Sequence, residues 1–232
     1  MKKTIVSIFL MLFGMLSFAQ TAEDYRSQAE NGDADAQYNL GDCYYKGVGV
    51  DKDMQKALYW FLLAANQDDV KAQVKVGLCY VLNEGIPIDY EKAVFWWTKA
   101  ANKRNVDAQL HLGFSFYKGL GVSRDVDSAI FWWREAGNQG NVVAQYNLGC
   151  CYSDIFDREN YNLDKATYWF ILAAEQGHVN AQYNLGNTYC DKGEQTKAKY
   201  WYTQAANQGH EDAKHALKRF EIWGEWECYN PR

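Results

Sequence analysis

From Asp33 onward small and apolar side chains recur at steps of three and four, and the whole pattern returns every 36 or 37 residues. Ala36-Gln37 with Leu40-Gly41 comes back as Ala72-Gln73 with Val76-Gly77 and as Ala108-Gln109 with Leu112-Gly113. Ala144-Gln145 with Leu148-Gly149 and Ala181-Gln182 with Leu185-Gly186 complete the series. The starts differ by 72−36 = 36, 108−72 = 36, 144−108 = 36 and 181−144 = 37 residues. Steps of three and four place residues on one face of an α-helix. A fixed long period marks an array of stacked units. A second marker keeps step: Trp60, Trp96, Trp132, Trp169 and Trp201 each follow an alanine (Ala57, Ala93, Ala129, Ala166, Ala198) by three residues.

Each unit reads as two helices. Asp33, Asp69, Asn105 and Asn141 stand three before the marker alanine, where a side-chain oxygen caps the first helix. Glycine inside that helix costs about 1 kcal/mol against alanine. Its return at Gly41, Gly77, Gly113, Gly149 and Gly186 implies that another backbone passes too close for a β-carbon. Glycine-bearing loops, Lys46-Gly47-Val48-Gly49-Val50 and Lys118-Gly119-Leu120-Gly121-Val122, end the first helix through the left-handed conformation. Asp53, Asp89, Asp125 and Asn162 then cap the second helix, whose Ala57, Trp60, Phe61, Ala64 and Ala65 alternate small with bulky. Burial of one such aromatic contributes about 2–3 kcal/mol, so loss of a marker tryptophan is expected to loosen a unit.

The period breaks late. The fourth unit replaces the glycine loop with residues 154–160, and the next marker after Ala181 is Ala213, only 213−181 = 32 residues on. Ala22–Asn31 reads as a lone second helix and Glu211–Ile222 as a lone first helix, half units that shield the ends of the array.

Taken together, Ala-x-x-x-Leu-Gly-x-x-Tyr, Gly-x-Gly-Val, Asp-x-x-Lys-Ala, Trp and Ala-Ala resemble the Sel-one-like (Sel1-like) repeats, relatives of the tetratricopeptide repeats. The resemblance runs from about Asp33 to Gln208 in five concordant copies. It implies an all-α fold, a right-handed superhelical solenoid of antiparallel helix pairs with half-repeat caps at both ends. It also implies a concave groove lined by the first helices and a role as adaptor or scaffold. Few members of the family have demonstrated enzymatic activity.

The array accounts for residues 20–222, with a short tail at 223–232. Before it, Lys2 and Lys3 precede an apolar run from Ile5 to Leu16 and a small-x-small site at Ser17-Phe18-Ala19. This reads as a secretory signal over residues 1–19, too short to span a membrane comfortably, so the chain is expected to be exported, periplasmic or secreted. A composition of 48% hydrophobic residues and 2 prolines argues for a folded chain. The formal charge of −5 becomes 22−29 = −7 once the two lysines leave with the signal. Nucleic-acid binding needs basic surface and is disfavoured; no basic amphipathic helix suggests membrane binding.

In an exported chain all 6 cysteines are disulfide candidates. Cys43, Cys79 and Cys151 share one repeated position, and equivalent positions in adjacent units lie about 10 Å apart. A disulfide needs Cα atoms within about 7 Å, so these three read as buried thiols. Cys150, Cys190 and Cys228 remain, with a bridge between two of them left open. Cysteine-rich relatives join the two helices of a unit at positions that are alanines in this sequence, Ala36 with Ala64 or Ala65.

Chemistry is sparse. Ser115-Phe116-Tyr117-Lys118 matches the Ser-x-x-Lys of serine β-lactamases, but Ser115 occupies the Cys43 slot of an ordinary unit. A hydrolase acting on β-lactams or peptidoglycan, as described for some cysteine-rich relatives, is the alternative to a non-catalytic protein. His178 and His210 sit in matching inter-unit loops as surface or capping residues. His210 and His215 are five apart, unlike helical zinc pairs. No metal or cofactor is expected.

By analogy with tetratricopeptide repeats, the groove is lined by a second face of the first helices. Its candidate peptide-binding residues are Tyr38, Asn39, Tyr45 and Lys46, then Lys75, Leu78 and Leu82, then Leu110, His111, Phe114, Tyr117 and Lys118. Tyr146, Asn147, Tyr183 and Asn184 continue the row. The apolar centre flanked by lysines suggests that the groove holds a protein segment, its acidic or carboxylate end toward Lys46, Lys75 and Lys118; the chain is expected to be a monomer. The repeated asparagines could bond to an extended backbone. The opposing possibility is that the tyrosines only pack between neighbouring helices.

Overall fold

The computed structural model of the chain describes residues 22–154 and 159–223. Those residues are all-helical, with no strand among them. The signal and tail expected at the two ends fall mostly outside the described residues. The helices are α1 (22–30), α2 (Ala34–Lys46), α3 (Met54–Asn66), α4 (Val70–Cys79), α5 (Tyr90–Asn102) and α6 (Val106–Lys118). Then follow α7 (Val126–Asn138), α8 (Val142–Ser153), α9 (Leu163–Glu175), α10 (Val179–Asp191), α11 (Gln195–Asn207) and α12 (Glu211–Trp223). They fall into two compact units that divide between Asp125 and Val126. Within each unit consecutive helices pack on one another, as a solenoid of helix pairs requires.

The caps stand where the polar residues precede each repeat. Side chains of Asp33, Asp69, Asn105 and Asn141 accept from the amides of Ala36, Ala72, Ala108 and Ala144 at 2.7, 2.6, 2.9 and 2.9 Å. Asp53, Asp89 and Asn162 do the same for second helices, each at 2.9 Å. Gly47 and Gly119 end α2 and α6 in the left-handed conformation, with φ of 72° and 71°. The helix α4 ends early, at Cys79, because Asn83-Glu84-Gly85 replaces the glycine loop of its neighbours. Leu82, expected on that helix, lies in the loop beyond it.

The repeated glycines have a different cause from the one expected. The space at Gly41 is filled by the Phe61 ring, 2.8 Å from where a β-carbon would stand. Trp97, Phe170 and Tyr202 fill it at Gly77, Gly149 and Gly186. What comes close is an aromatic ring of the paired helix, not a backbone. These aromatics directly follow the marker tryptophans and are the deeper set: Phe61, Trp97, Trp133, Phe170 and Tyr202 are 0–4% exposed. Among the marker tryptophans Trp96 and Trp169 are buried, whereas Trp60, Trp132 and Trp201 are half-buried.

A further repeated contact joins the two helices of a pair. The lysine of Asp-x-x-Lys-Ala lies over the tyrosine eight residues after the marker alanine: Lys56 on Tyr44, Lys92 on Tyr80, Lys165 on Tyr152 and Lys197 on Tyr189, at 5.1–5.4 Å. Each cation sits on the face of a ring, an attraction that solvent weakens at these exposed ammonium groups.

Candidate functional site: the first-helix faces

In the first unit α2, α4 and α6 carry the predicted groove residues except Leu82. Lys46 and Lys75 do not stand free there. Asp42 takes both, at 2.6 Å from Lys46 and 3.5 Å from Lys75, and Lys75 also lies 4.5 Å from the centre of the Tyr45 ring. The pair of lysines is therefore half-neutralised from within the fold, and their positive charge is smaller than the sequence implied. Hydrogen bonding to Asp42 first, and its charge second, raise the Lys46 pKa above the usual lysine value.

Tyr38 and Tyr45 lean on Phe61 with ring centres 5.7 and 6.2 Å apart. His111 stacks on Trp97 at 4.6 Å and 18°, and its burial pushes its pKa down, so it is a neutral packing ring rather than a groove cation. What the face offers outward is Phe114, 37% exposed, with half-buried Leu110 and Tyr117 beside it and exposed Lys118 one turn on. Residues three and four apart on a helix share a face, and Leu110, Phe114, Tyr117 and Lys118 do. Leu78 is half-buried, and Leu82 is 38% exposed in its loop. Asn39 is half-buried.

In the second unit the face is more closed. Tyr146 packs against Phe170 and His178, and Tyr183 against Tyr202 and His210. Burial raises the Tyr146 pKa to about 12. Asn184 is turned onto Cys150, its amide 3.8 Å from the sulfur, while the amide nitrogen of Asn147 is buried without a hydrogen bond. Two of the three repeated asparagines thus point their donors inward. The half-buried tyrosines follow the packing alternative more than the open one.

The family model of the Sel1 repeat matches residues 34–69, 70–105, 106–141, 142–178 and 179–210. The chain belongs to the Sel1 repeat family. A protective antigen of uropathogenic Escherichia coli strains, c5321, displays the same Sel1-like repeat fold. It aligns with a TM-score of 0.80 and 30% identity, over 88% of this chain and 45% of that one. A Sel1 repeat protein from Oxalobacter formigenes aligns with a TM-score of 0.75 and 28% identity, over 96% of this chain and 90% of that one. A sel1-like repeat-containing protein of Acanthamoeba polyphaga mimivirus is 44% identical over 46 residues, 20% of this chain and 8% of its own length. The chain therefore spans less than half of the first structure and a small part of the viral protein.

Ser115 of the Ser-x-x-Lys match is 3% exposed inside α6, and Lys118 lies over the Tyr117 ring at 5.2 Å. Cys43, Cys79 and Cys150 are free thiols, Cys151 is buried, and Cys190 is disulfide-bonded. Among the described residues no three metal-ligating side chains cluster, and no helix is long and apolar enough to cross a membrane.

Proposed function

We propose that the protein is an exported, non-catalytic Sel1 repeat protein that binds a segment of another protein along the first helices of its first unit. Sel1 repeats generally serve protein–protein contact, and the outward face of α6 is the observation that carries the reading to this chain. An aromatic that is more than a third exposed, beside Leu110 and Tyr117 and ending in Lys118, offers apolar area with one positive charge at its edge. The lysine best placed for an acidic segment is Lys118, since Asp42 already occupies Lys46 and Lys75. The acidic balance of the chain disfavours nucleic acid as the partner. Export rests on the charged, then apolar, then small-residue order of residues 1–19.

The test is recovery of crosslinked partners from the native organism with wild type, Phe114→Ala/Lys118→Glu and Tyr59→Ala. Tyr59 is 56% exposed on a second helix and serves as the control for an aromatic off the face. Loss of partners from the double variant alone, with helicity intact, supports the reading. Equal recovery from all three rejects it.

A further inference from the structure

Two first-helix caps in the second unit break the chemistry of the others. Where α2, α4, α6 and α8 open on aspartate or asparagine, α10 and α12 open on His178 and His210. The Nδ1 atoms of the two histidines accept from the amides of Ala181 at 3.1 Å and Ala213 at 3.3 Å. Each imidazole also lies on a tyrosine of an earlier first helix, His178 on Tyr146 at 4.6 Å and His210 on Tyr183 at 4.5 Å. A ring nitrogen accepts a hydrogen bond only in the neutral imidazole, and the positive end of a helix disfavours a cation.

We propose that His178 is a proton-operated latch that, when neutral, both caps α10 and seats Tyr146, and that releases the two together when protonated. The groups around it do not resist this. From α8 come Tyr146 and, beside it, Cys150, both kept protonated by burial. Glu175, in the last turn of α9, is exposed, and the first turn of α10 holds no acidic residue to stabilise a cation. Burial holds the His178 pKa below its ordinary value. The sign follows: with the folded pKa depressed, the cap contributes fully above the unfolded value and is lost as pH falls through the folded one. The proposal is confined to His178; α12, which follows His210, opens on Glu211 and Asp212.

The device is read directly on the helix. Hydrogen–deuterium exchange of the intact protein is followed at the amides of Ala181 and Gln182 from pH 7.5 to 4.5, corrected for intrinsic rates. Losing one cap corresponds to roughly a fivefold increase in opening, expected in wild type at the acid end. The first turn of α8, capped by Asn141, supplies the unmoved reference. His178→Asn carries the side chain that caps at 105 and 141, so it keeps the helix and should abolish the acid response. The Tyr146 ring resonances should move with the same midpoint in wild type only. An acid response of the same size in His178→Asn, or none in wild type, overturns the proposal. The readout is the cap itself, so the result is independent of whether a peptide binds this protein.

Discussion

Gln67 donates its side-chain amide to the Gln37 side-chain oxygen at 2.8 Å, and Gln37 in turn donates to the Ala29 carbonyl at 3.1 Å. This two-step bridge is the joint between successive pairs. The inner step is kept throughout: Gln73, Gln109, Gln145 and Gln182 donate to the carbonyl eight residues earlier at 3.3, 3.3, 2.9 and 3.1 Å. The outer step is repeated by Gln176 on Gln145 at 2.7 Å and by Gln208 on Gln182 at 2.8 Å. Where the outer residue is Lys103, it bonds to the carbonyl and carboxylate of Asp68, and the oxygen of fully buried Gln73 is left without a partner.

Lys103→Gln should therefore stabilise the protein. A buried acceptor without a partner costs about 1–3 kcal/mol, whereas the ion pair given up is largely solvent-exposed and contributes little. The expected gain is about 1 kcal/mol, read as a higher urea midpoint at an unchanged slope. A lower midpoint would count against the joint as described.

The turn between pairs offers a second gain. At Gly32, Gly140, Gly177 and Gly209 φ is 84–96°, but the same turn holds Asp68 at 70° and Arg104 at 63°. The left-handed conformation costs a non-glycine residue about 1–2 kcal/mol, and glycine gives back about 0.4–1 kcal/mol through the unfolded chain. Arg104→Gly should come out stabilising by about 0.5–1 kcal/mol in the same titration. Asp68→Gly should gain less, because it also loses Lys103.

Caps, period and helix pairing were legible because they depend on residues a few positions apart: a polar side chain three before the marker alanine meets that alanine's own amide. The depth of the aromatics was not, because Trp60 and Phe61 are adjacent and both apolar. Only the packed pair shows that Phe61 fills the space left by Gly41. The contacts within the predicted face were not legible for a similar reason. Asp42 and Lys75 are 75−42 = 33 residues apart, as Cys150 and Asn184 are 184−150 = 34, and a reading of one repeat at a time cannot see contacts made between repeats. Lys75 thus looked available, and Asn184 looked turned outward.

Gly149 and Phe170 should behave as one unit of packing. Gly149→Ala places a methyl into the Phe170 ring, which is 1% exposed and cannot swing out to solvent. Overpacking of this kind costs about 1–3 kcal/mol, against about 1 kcal/mol returned by the better helix propensity of alanine. In a Phe170→Leu background the clash is relieved and the propensity gain remains. A double-mutant cycle should show coupling above about 1 kcal/mol; additive effects would mean that the glycine is present for another reason.

The thiols separate by depth. Burial raises the Cys79 pKa to about 12, and Cys79 is fully buried, whereas Cys43 and Cys150 are half-buried. Alkylation proceeds through the thiolate, so at pH 8 the folded protein should label Cys43 and Cys150 well before Cys79. After denaturation without reductant, the cysteines at 43, 79 and 150 should label. Cys190 should label only once reductant is added. Peptide mapping reads both stages at once. Early labelling of Cys79 would mean that α4 opens readily, and labelling of Cys190 without reductant would remove the disulfide from the account.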